Sequence, residues 1–349
     1  MPSDTVTVRA AHLRELLRRI FRAAGFSDAH ALIEAEVLAW ANLRGVESHG
    51  IFRVPRYVAA IRDGEINPRP DIRVVAGAGA SSIIDADRSA GPIAMTFGMD
   101  HALALARRHS VGWALIRNTT HTGPMGYYAR AAAAHGMIGI VASASRPIMA
   151  YHGTRSPTVS TNPIAIAVPQ GSAAPLVLDM ATAAIAWGKL SQARQSASPL
   201  PANVALDAEG NVTTDPRRAA LPLPLAGAKG AGLSLMIECL VSLLAGAPLI
   251  APALSPGLES SGAWQHGLAI AVDVPAFTDA DAFAENVRQL AEAVASQPRA
   301  AGFDEVLMPG ERGDRELARR EREGIPLPAD QWRRLVEIAD SLGVSAQIG

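Results

Sequence analysis

Val111-Gly-Trp-Ala-Leu-Ile-Arg117, the loop Asn118-Thr-Thr-His-Thr-Gly123, the segment from Pro124 to His135, and Met137-Ile-Gly-Ile-Val-Ala-Ser143 decide the fold class of this chain. Two apolar runs flank a segment that opens on proline and stops at Gly136, the pattern of strand, helix and strand in a βαβ unit. On the N-terminal side a helix from Met95 to His109 leads into the first strand, and Ile72-Arg-Val-Val and Ser82-Ile-Ile-Asp-Ala-Asp read as two further strands. Gly77-Ala-Gly79 imitates a dinucleotide fingerprint, but the third glycine is missing and a strand follows where a helix should begin, so a hairpin is expected instead. On the C-terminal side Ser160-Thr161-Asn162-Pro163 is a polar turn feeding the strand Ile164 to Val168. Leu176-Val-Leu-Asp179 then runs through Met180-Ala181-Thr182 into a helix from Ala183 to Leu190, and His266 to Val274 reads as another strand.

Both ends of the chain are helical in pattern. Leu13, Leu16, Leu17, Ile20 and Phe21 recur at helical spacing before Gly25, and Leu32, Ile33, Val37 and Trp40 do so before Gly45. The first sixty or so residues therefore read as all helical, closed by Asp63-Gly64 and Pro68 and Pro70. Two charged helices, 314–324 and 329–342, end the chain after the turn Met308-Pro309-Gly310-Glu311-Arg312. Residues 191–225 carry turn-forming Pro, Ser and Asp/Gly pairs and read as a surface excursion. Gly227-Ala-Lys229-Gly230-Ala-Gly232 opens an apolar helix, Leu233 to Leu244, where amides and a lysine could hold a phosphate.

Composition excludes several classes. The 349 residues carry 32 basic and 33 acidic side chains, so no nucleic-acid or anionic-membrane surface is indicated. Leu233 to Ile250 is interrupted by Ser234, Glu238, Ser242 and Pro248, a buried helix rather than a membrane span. The N-terminus lacks a basic segment followed by an apolar one, so no signal peptide is expected. The single cysteine, Cys239, forbids internal disulfides and suits a reducing cytoplasm. No His or Cys spacing suggests a metal site.

Arg44-Gly45-Val46-Glu47-Ser48-His49-Gly50-Ile51-Phe52-Arg53-Val54-Pro55-Arg56-Tyr57 holds the first candidate chemistry. Ser48 can cap a new helix in which His49 and Arg53, four residues apart, share a face with Arg56 and Tyr57 one turn on. An imidazole that titrates near neutrality and a guanidinium fork suit a small acid carrying a carbonyl. A plainer reading makes Ser48 only a cap, His49 a half-buried helix residue and Arg53 a solvated charge. His121 is a second candidate, because loops at the carboxyl ends of such strands hold ligands; it also fits a loop residue that binds a carbonyl. Asp179, after three apolar residues, is either an N-cap or a carboxylate that orients a histidine.

Taken together, Ser48-His49-Gly50 with Arg53 and Pro55, Asn118-Thr-Thr-His121-Thr-Gly, Thr161-Asn162-Pro163, Leu178-Asp179-Met180-Ala181-Thr182, Gly188-Lys189, Lys229-Gly230 and Pro309-Gly310-Glu311 resemble the malate/L-lactate dehydrogenase family of the second type. The group includes ureidoglycolate, sulfolactate and 2,3-diketogulonate enzymes and piperideine-2-carboxylate reductases. The resemblance implies a mixed α/β fold without a Rossmann domain. In it a helical domain built from both ends (1–70 with 312–349) accompanies a domain at 71–311 that binds cofactor and substrate. It implies hydride transfer between NAD or NADP and a 2-oxo or 2-hydroxy acid, or a cyclic imino acid, usually by a homodimer. Carried over by position, His49 is the proton donor, with Asp179 as orienting partner and Ser48 beside it. Arg53 clamps the substrate carboxylate, with His121 and Tyr57 as further substrate contacts. Ser160, Thr161, Asn162, Asp179, Met180, Ala181, Lys229, Gly230, Pro309 and Gly310 correspond to cofactor positions. Trp187 and Ala231 depart from the family pattern near the cofactor, and Thr122-Gly-Pro-Met-Gly departs beside the substrate.

Two other classes remain to be weighed. A hydrolase using Ser48 and His49 meets the objection that adjacent helical residues project about 100° apart, and no Gly-x-Ser-x-Gly elbow exists. A binding protein that has lost catalysis is opposed by the presence of His49, Arg53 and Asp179 together.

Overall fold

The computed structural model describes residues 5–255, 257–258 and 264–347. Its centre is a seven-stranded mixed sheet in the order Arg73–Ala78, Ser81–Asp85, Val111–Thr119, Gln265–Asp273, Met137–Ser145, Ile164–Gln170 and Ala173–Met180. Ser81–Asp85 runs parallel to Val111–Thr119, and every other neighbouring pair in this sheet is antiparallel. The hairpin expected at Gly77-Ala-Gly79 is present as Arg73–Ala78 against Ser81–Asp85. The βαβ reading holds only in direction: Gln265–Asp273 lies between Val111–Thr119 and Met137–Ser145, antiparallel to both, so the two strands never touch. That inserted strand arrives from more than a hundred residues downstream, and no local pattern announces it.

Helices Gly91–His109 and Met125–Ala134 cover one face of the sheet. Glycine lets them come close: a Cβ on Gly112 would stand 1.9 Å from the Ala102 carbonyl oxygen, and one on Gly139 would stand 2.3 Å from that of Ala129. Met95, Met99, Ile116, Val141 and Tyr128 fill this layer and are almost wholly buried. Full burial of each such side chain contributes about 1.5–3 kcal/mol.

A second core unites the chain ends. Leu13, Leu16, Leu17, Ile20 and Phe21 of helix Ala10–Ala23 pack with Leu38 and Leu43 of helix Asp28–Leu43, and with Ile325, Leu327 and Leu335. The first sixty residues are not all helical, because Thr5–Val8 pairs antiparallel with Ile325–Pro328. Four residues at an end are too short to show a period, and their partner lies at the other terminus.

Two further readings need correction. The helix expected at 183–190 is Trp187–Ser196, and the preceding residues form a bridge to Pro224 at Ala183. The apolar helix begins earlier, at Ala228–Glu238, and continues as a π-helical turn at Cys239–Leu243. Its burial is inverted: Ser234, Glu238 and Ser242 are buried, whereas Met236, Leu240, Leu243 and Leu244 stand about half exposed. The polar groups are drawn inward by bonds. Ser234 Oγ donates to the Ser160 carbonyl at 2.7 Å, and Glu238 accepts from Ser242 Oγ and from the Leu249 and Ile250 amides. No helix among the described residues is long and apolar enough to cross a membrane.

Candidate active site

Ser48 does not start a continuous helix. Two 3₁₀ turns, Glu47–His49 and Ile51–Arg53, precede the helix Val54–Arg62, which carries Pro55 in its first turn. The chain breaks between them at Gly50, where a Cβ would stand 2.1 Å from Asn42 Oδ1. That same oxygen accepts from the Ile51 amide at 2.8 Å, so Asn42 supplies the cap expected of Ser48. Ser48 is thus released, and its Oγ hydrogen bonds His49 Nδ1 at 3.0 Å. The geometric objection to a serine–histidine contact, framed for an α-helix, fails in this turn. The absence of a nucleophile elbow still stands against a hydrolase. Arg53 Nε donates to the Ser48 carbonyl at 2.7 Å, which folds the guanidinium back over the turn that carries His49.

These groups open into a cavity of about 500 Å³. His121, from the loop after strand Val111–Thr119, lines it too, with its ring stacked on that of His49 at 5.4 Å between centroids and 27° between planes. Its Nδ1 is hydrogen bonded to the buried Tyr57 hydroxyl. Each imidazole therefore has one nitrogen held by a hydroxyl and the other available to a ligand. Desolvation, and after it the Arg53 cation, push His49 down to about 3. The same two causes, with His49 added, hold His121 well below the usual imidazole range. Both rings are neutral at neutral pH. A carboxylate on Arg53 would offset the cation that helps to keep them so.

Asp179 lies at the end of strand Ala173–Met180, open to the cavity. Its carboxylate accepts from the Gly126 amide at 2.8 Å, at the first turn of helix Met125–Ala134. Desolvation raises its pKa, opposed by that amide and by Arg44. The expected pairing of Asp179 with His49 is replaced: Ser48 holds the His49 Nδ1, and Asp179 anchors a helix N-terminus instead. Backbone amides at a helix start attract a carboxylate as well as an imidazole does.

The cavity brings together Ser48, His49, Arg53, His121, Thr161, Asp179, Met180, Ala181 and Gly310. Ser160 and Asn162 are fully buried rather than on its wall, where Asn162 bridges the Ser145 amide and the Ser234 carbonyl. Lys229 is exposed, and Gly230 packs against the Leu225 and Thr182 carbonyls, where a Cβ would come within 2.4 and 2.6 Å. Pro309 accepts from the Val177 amide at 2.9 Å and faces a different hollow. Lys229, Gly230 and Pro309 do not line the cavity.

Several lining residues escaped the sequence reading of the site. Arg44, nearly buried, donates to the Gly310 carbonyl at 2.8 Å and pairs with Asp314. Gln265 donates to Thr122 Oγ1 at 3.1 Å and to Ser143 Oγ at 2.7 Å. Both contacts join segments more than a hundred residues apart, beyond the reach of spacing. Gly188 carries a readable signal, its place beside Lys189: a Cβ on it would stand 2.3 Å from the Ser48 Cβ. Lys189 and Arg312 add two cations to the cavity, suited to a pyrophosphate, and its volume can take a nicotinamide together with a small acid. Among the described residues no cluster of His, Cys, Asp and Glu could hold a metal ion.

Residues 8–336 match the sequence profile described as malate/L-lactate dehydrogenase. The chain is 34% identical over 336 residues to the L-sulfolactate dehydrogenase of Methanocaldococcus jannaschii, across 96% of each protein. The structure of sulfolactate dehydrogenase from that organism superposes with a TM-score of 0.88 over 98% of both chains. The NAD(+)-dependent ureidoglycolate dehydrogenase of Escherichia coli is 33% identical over 94% of each chain. A pyrroline-2-carboxylate/piperideine-2-carboxylate reductase of Pseudomonas putida is 31% identical over 97% of this chain and 98% of its own.

Proposed function

The chain belongs to the malate/L-lactate dehydrogenase family and is an oxidoreductase, and we propose that it moves a hydride between NAD or NADP and the carbonyl carbon of a small 2-oxo acid. The observation that carries this reading is the meeting of Arg53, His49 and His121 in one cavity with the Asp179-Met180-Ala181 segment. The nicotinamide supplies the hydride when bound. Thr161, Asp179, Met180, Ala181 and Gly310 would hold it, with Lys189 and Arg312 toward its phosphates. Ser160 and Asn162 support that wall from beneath.

The chain's own residues do the rest. Arg53 clamps the substrate carboxylate by a planar fork, which orients the carbonyl against the cofactor. His49 gives a proton to the carbonyl oxygen as it gains charge, and takes one from the hydroxyl in the reverse direction. Ser48 fixes the imidazole, and Tyr57 does the same for His121, whose ring stacks on that of His49. Because His49 is neutral in the empty site, the oxidation of a hydroxy acid finds its base ready. Reduction requires a proton taken up with the substrate anion. Cyclic imino acids are the second reading, favoured by the similarity to the Pseudomonas reductase; the imine nitrogen would take the same proton.

We further infer a homodimer. The row Met236, Leu240, Leu243 and Leu244, about half exposed, supports contact with a second copy. The lone Cys239 agrees with a cytoplasmic setting. The reading is tested by following NADH and NADPH oxidation against a panel of 2-oxo acids and cyclic imino acids. Turnover of a 2-oxo acid bears it out. Turnover of imines alone transfers the assignment to the second reading, and no turnover with either class refutes it.

A further inference from the structure

The active-site cavity has a neighbour. A second chamber of about 240 Å³ shares four lining residues with it: His121, Ser145, Ile148 and Gln265. The Tyr57–His121 pair stands at this junction, since His121 lines both spaces and Tyr57 only the second. The rest of the wall is mostly apolar, formed by Ala60 and Ile66 at the end of the helical segment and by Trp264 ahead of the central strand. Its charged groups are engaged within the wall itself. Arg56 is paired with Glu65, and the Arg146 guanidinium lies over the Trp264 ring at 4.2 Å. Thr120 is likewise engaged with the Ser89 carbonyl and the Gly91 amide.

We infer that this chamber receives the side chain of the substrate, and that the preferred substrates are 2-oxo acids with a branched aliphatic or aromatic tail. The inference rests on the 2-oxo acid reading and deepens it. With the carboxylate on Arg53 and the carbonyl at the edges of the stacked His49 and His121 rings, a tail that passes Ser145 and Ile148 leaves water for an apolar room. A second carboxylate on that tail would face Glu65, would have to draw Arg56 from that carboxylate or Arg146 from the Trp264 ring, and would lose its hydration. Pyruvate, with a methyl group, would leave the chamber empty. Each methylene moved into it is worth about fourfold in transition-state binding, so three or four of them separate the substrates by well over tenfold.

The test compares kcat/KM for pyruvate, oxaloacetate, 2-oxoglutarate, 4-methyl-2-oxopentanoate and phenylpyruvate with saturating cofactor, in the wild type and in Trp264→Ala. Trp264 is half exposed, so its removal spares the core. The expected result is a preference of at least tenfold for one of the two large apolar acids over pyruvate and oxaloacetate. In Trp264→Ala the ratio of that acid to pyruvate falls at least fivefold. Ala60→Leu, which narrows the same room from the opposite wall, lowers this ratio as well. Fastest turnover of a dicarboxylic acid would overturn the apolar assignment, and so would a ratio untouched by Trp264→Ala. In both cases the proposed function survives. No reduction of any of the five would instead remove the 2-oxo acid reading on which the chamber depends.

Discussion

Glu34→Gln changes one atom type at a position where the charge state is set by the fold. Glu34 sits in helix Asp28–Leu43, is fully buried, and neither carboxyl oxygen has a hydrogen-bond partner among the described residues. Desolvation alone pushes its pKa from 4.5 up to about 8, so the folded protein carries it as the neutral acid at pH 7. The unfolded chain releases that proton near 4.5. Between these values the native state binds a proton that the unfolded state lacks, so this group makes stability fall as pH rises from 4.5 through 8. At about 1.4 kcal/mol per pH unit, the full shift corresponds to roughly 5 kcal/mol, of which about 3 accrues between pH 5 and 7.5. Glutamine has nearly the same shape and no titration. Depressed histidines such as His49 and His266 act in the opposite sense below about 6.5, but they are common to both proteins and cancel in the difference. Chemical unfolding of the wild type and of Glu34→Gln at pH 5, 6, 7 and 7.5 should show the variant gaining on the wild type by about 3 kcal/mol across the range. A difference that stays constant with pH would mean that Glu34 titrates normally and that the burial argument is wrong.

His49→Asn should lower turnover by about 10² to 10⁴ while cofactor affinity, read by nicotinamide fluorescence, stays within about twofold; an unchanged rate would remove His49 from the proton transfer. Arg53→Lys replaces a fork by a point charge and should raise the apparent KM for the acid by about ten- to a hundredfold, against a far smaller change in kcat. An unaltered KM would sink the clamp. In the oxidation direction His49 must be neutral, and with its pKa lowered to about 3 the kcat/KM should hold level down to about pH 4. A fall centred near 6.5 would show an unperturbed imidazole. Gly188→Val presses on Ser48, since even a Cβ there stands 2.3 Å from that side chain; kcat/KM should drop at least tenfold with the unfolding midpoint little changed, and wild-type rates would contradict the packing.

What could be read before the structure was local. The hairpin at Gly77-Ala-Gly79 and the loop carrying His121 both follow from residues within a few positions of one another. What could not be read depends on distant partners. The central strand Gln265–Asp273 separates two strands that the sequence makes look adjacent. Asn42, seven residues before His49, takes over the cap and frees Ser48 to bind the imidazole. Asp179 turns to the Gly126 amide, a choice invisible without the packing of helix Met125–Ala134 against its strand. The helix Ala228–Glu238 hides its serine and glutamate and shows its leucines, the reverse of what hydropathy suggests, because buried carbonyls and amides wait for them. Residues that met the cavity by such long-range contacts, Arg44 and Gln265, were the ones the motifs missed.

The most direct measurement compares a 2-oxo acid with its own amide under identical conditions, following cofactor oxidation in the wild type. A guanidinium that clamps the carboxylate beside His49 predicts a preference for the acid of about a hundredfold in kcat/KM, in line with roughly 3 kcal/mol for a charged pair of bonds. Equal rates for acid and amide would contradict the account at its centre.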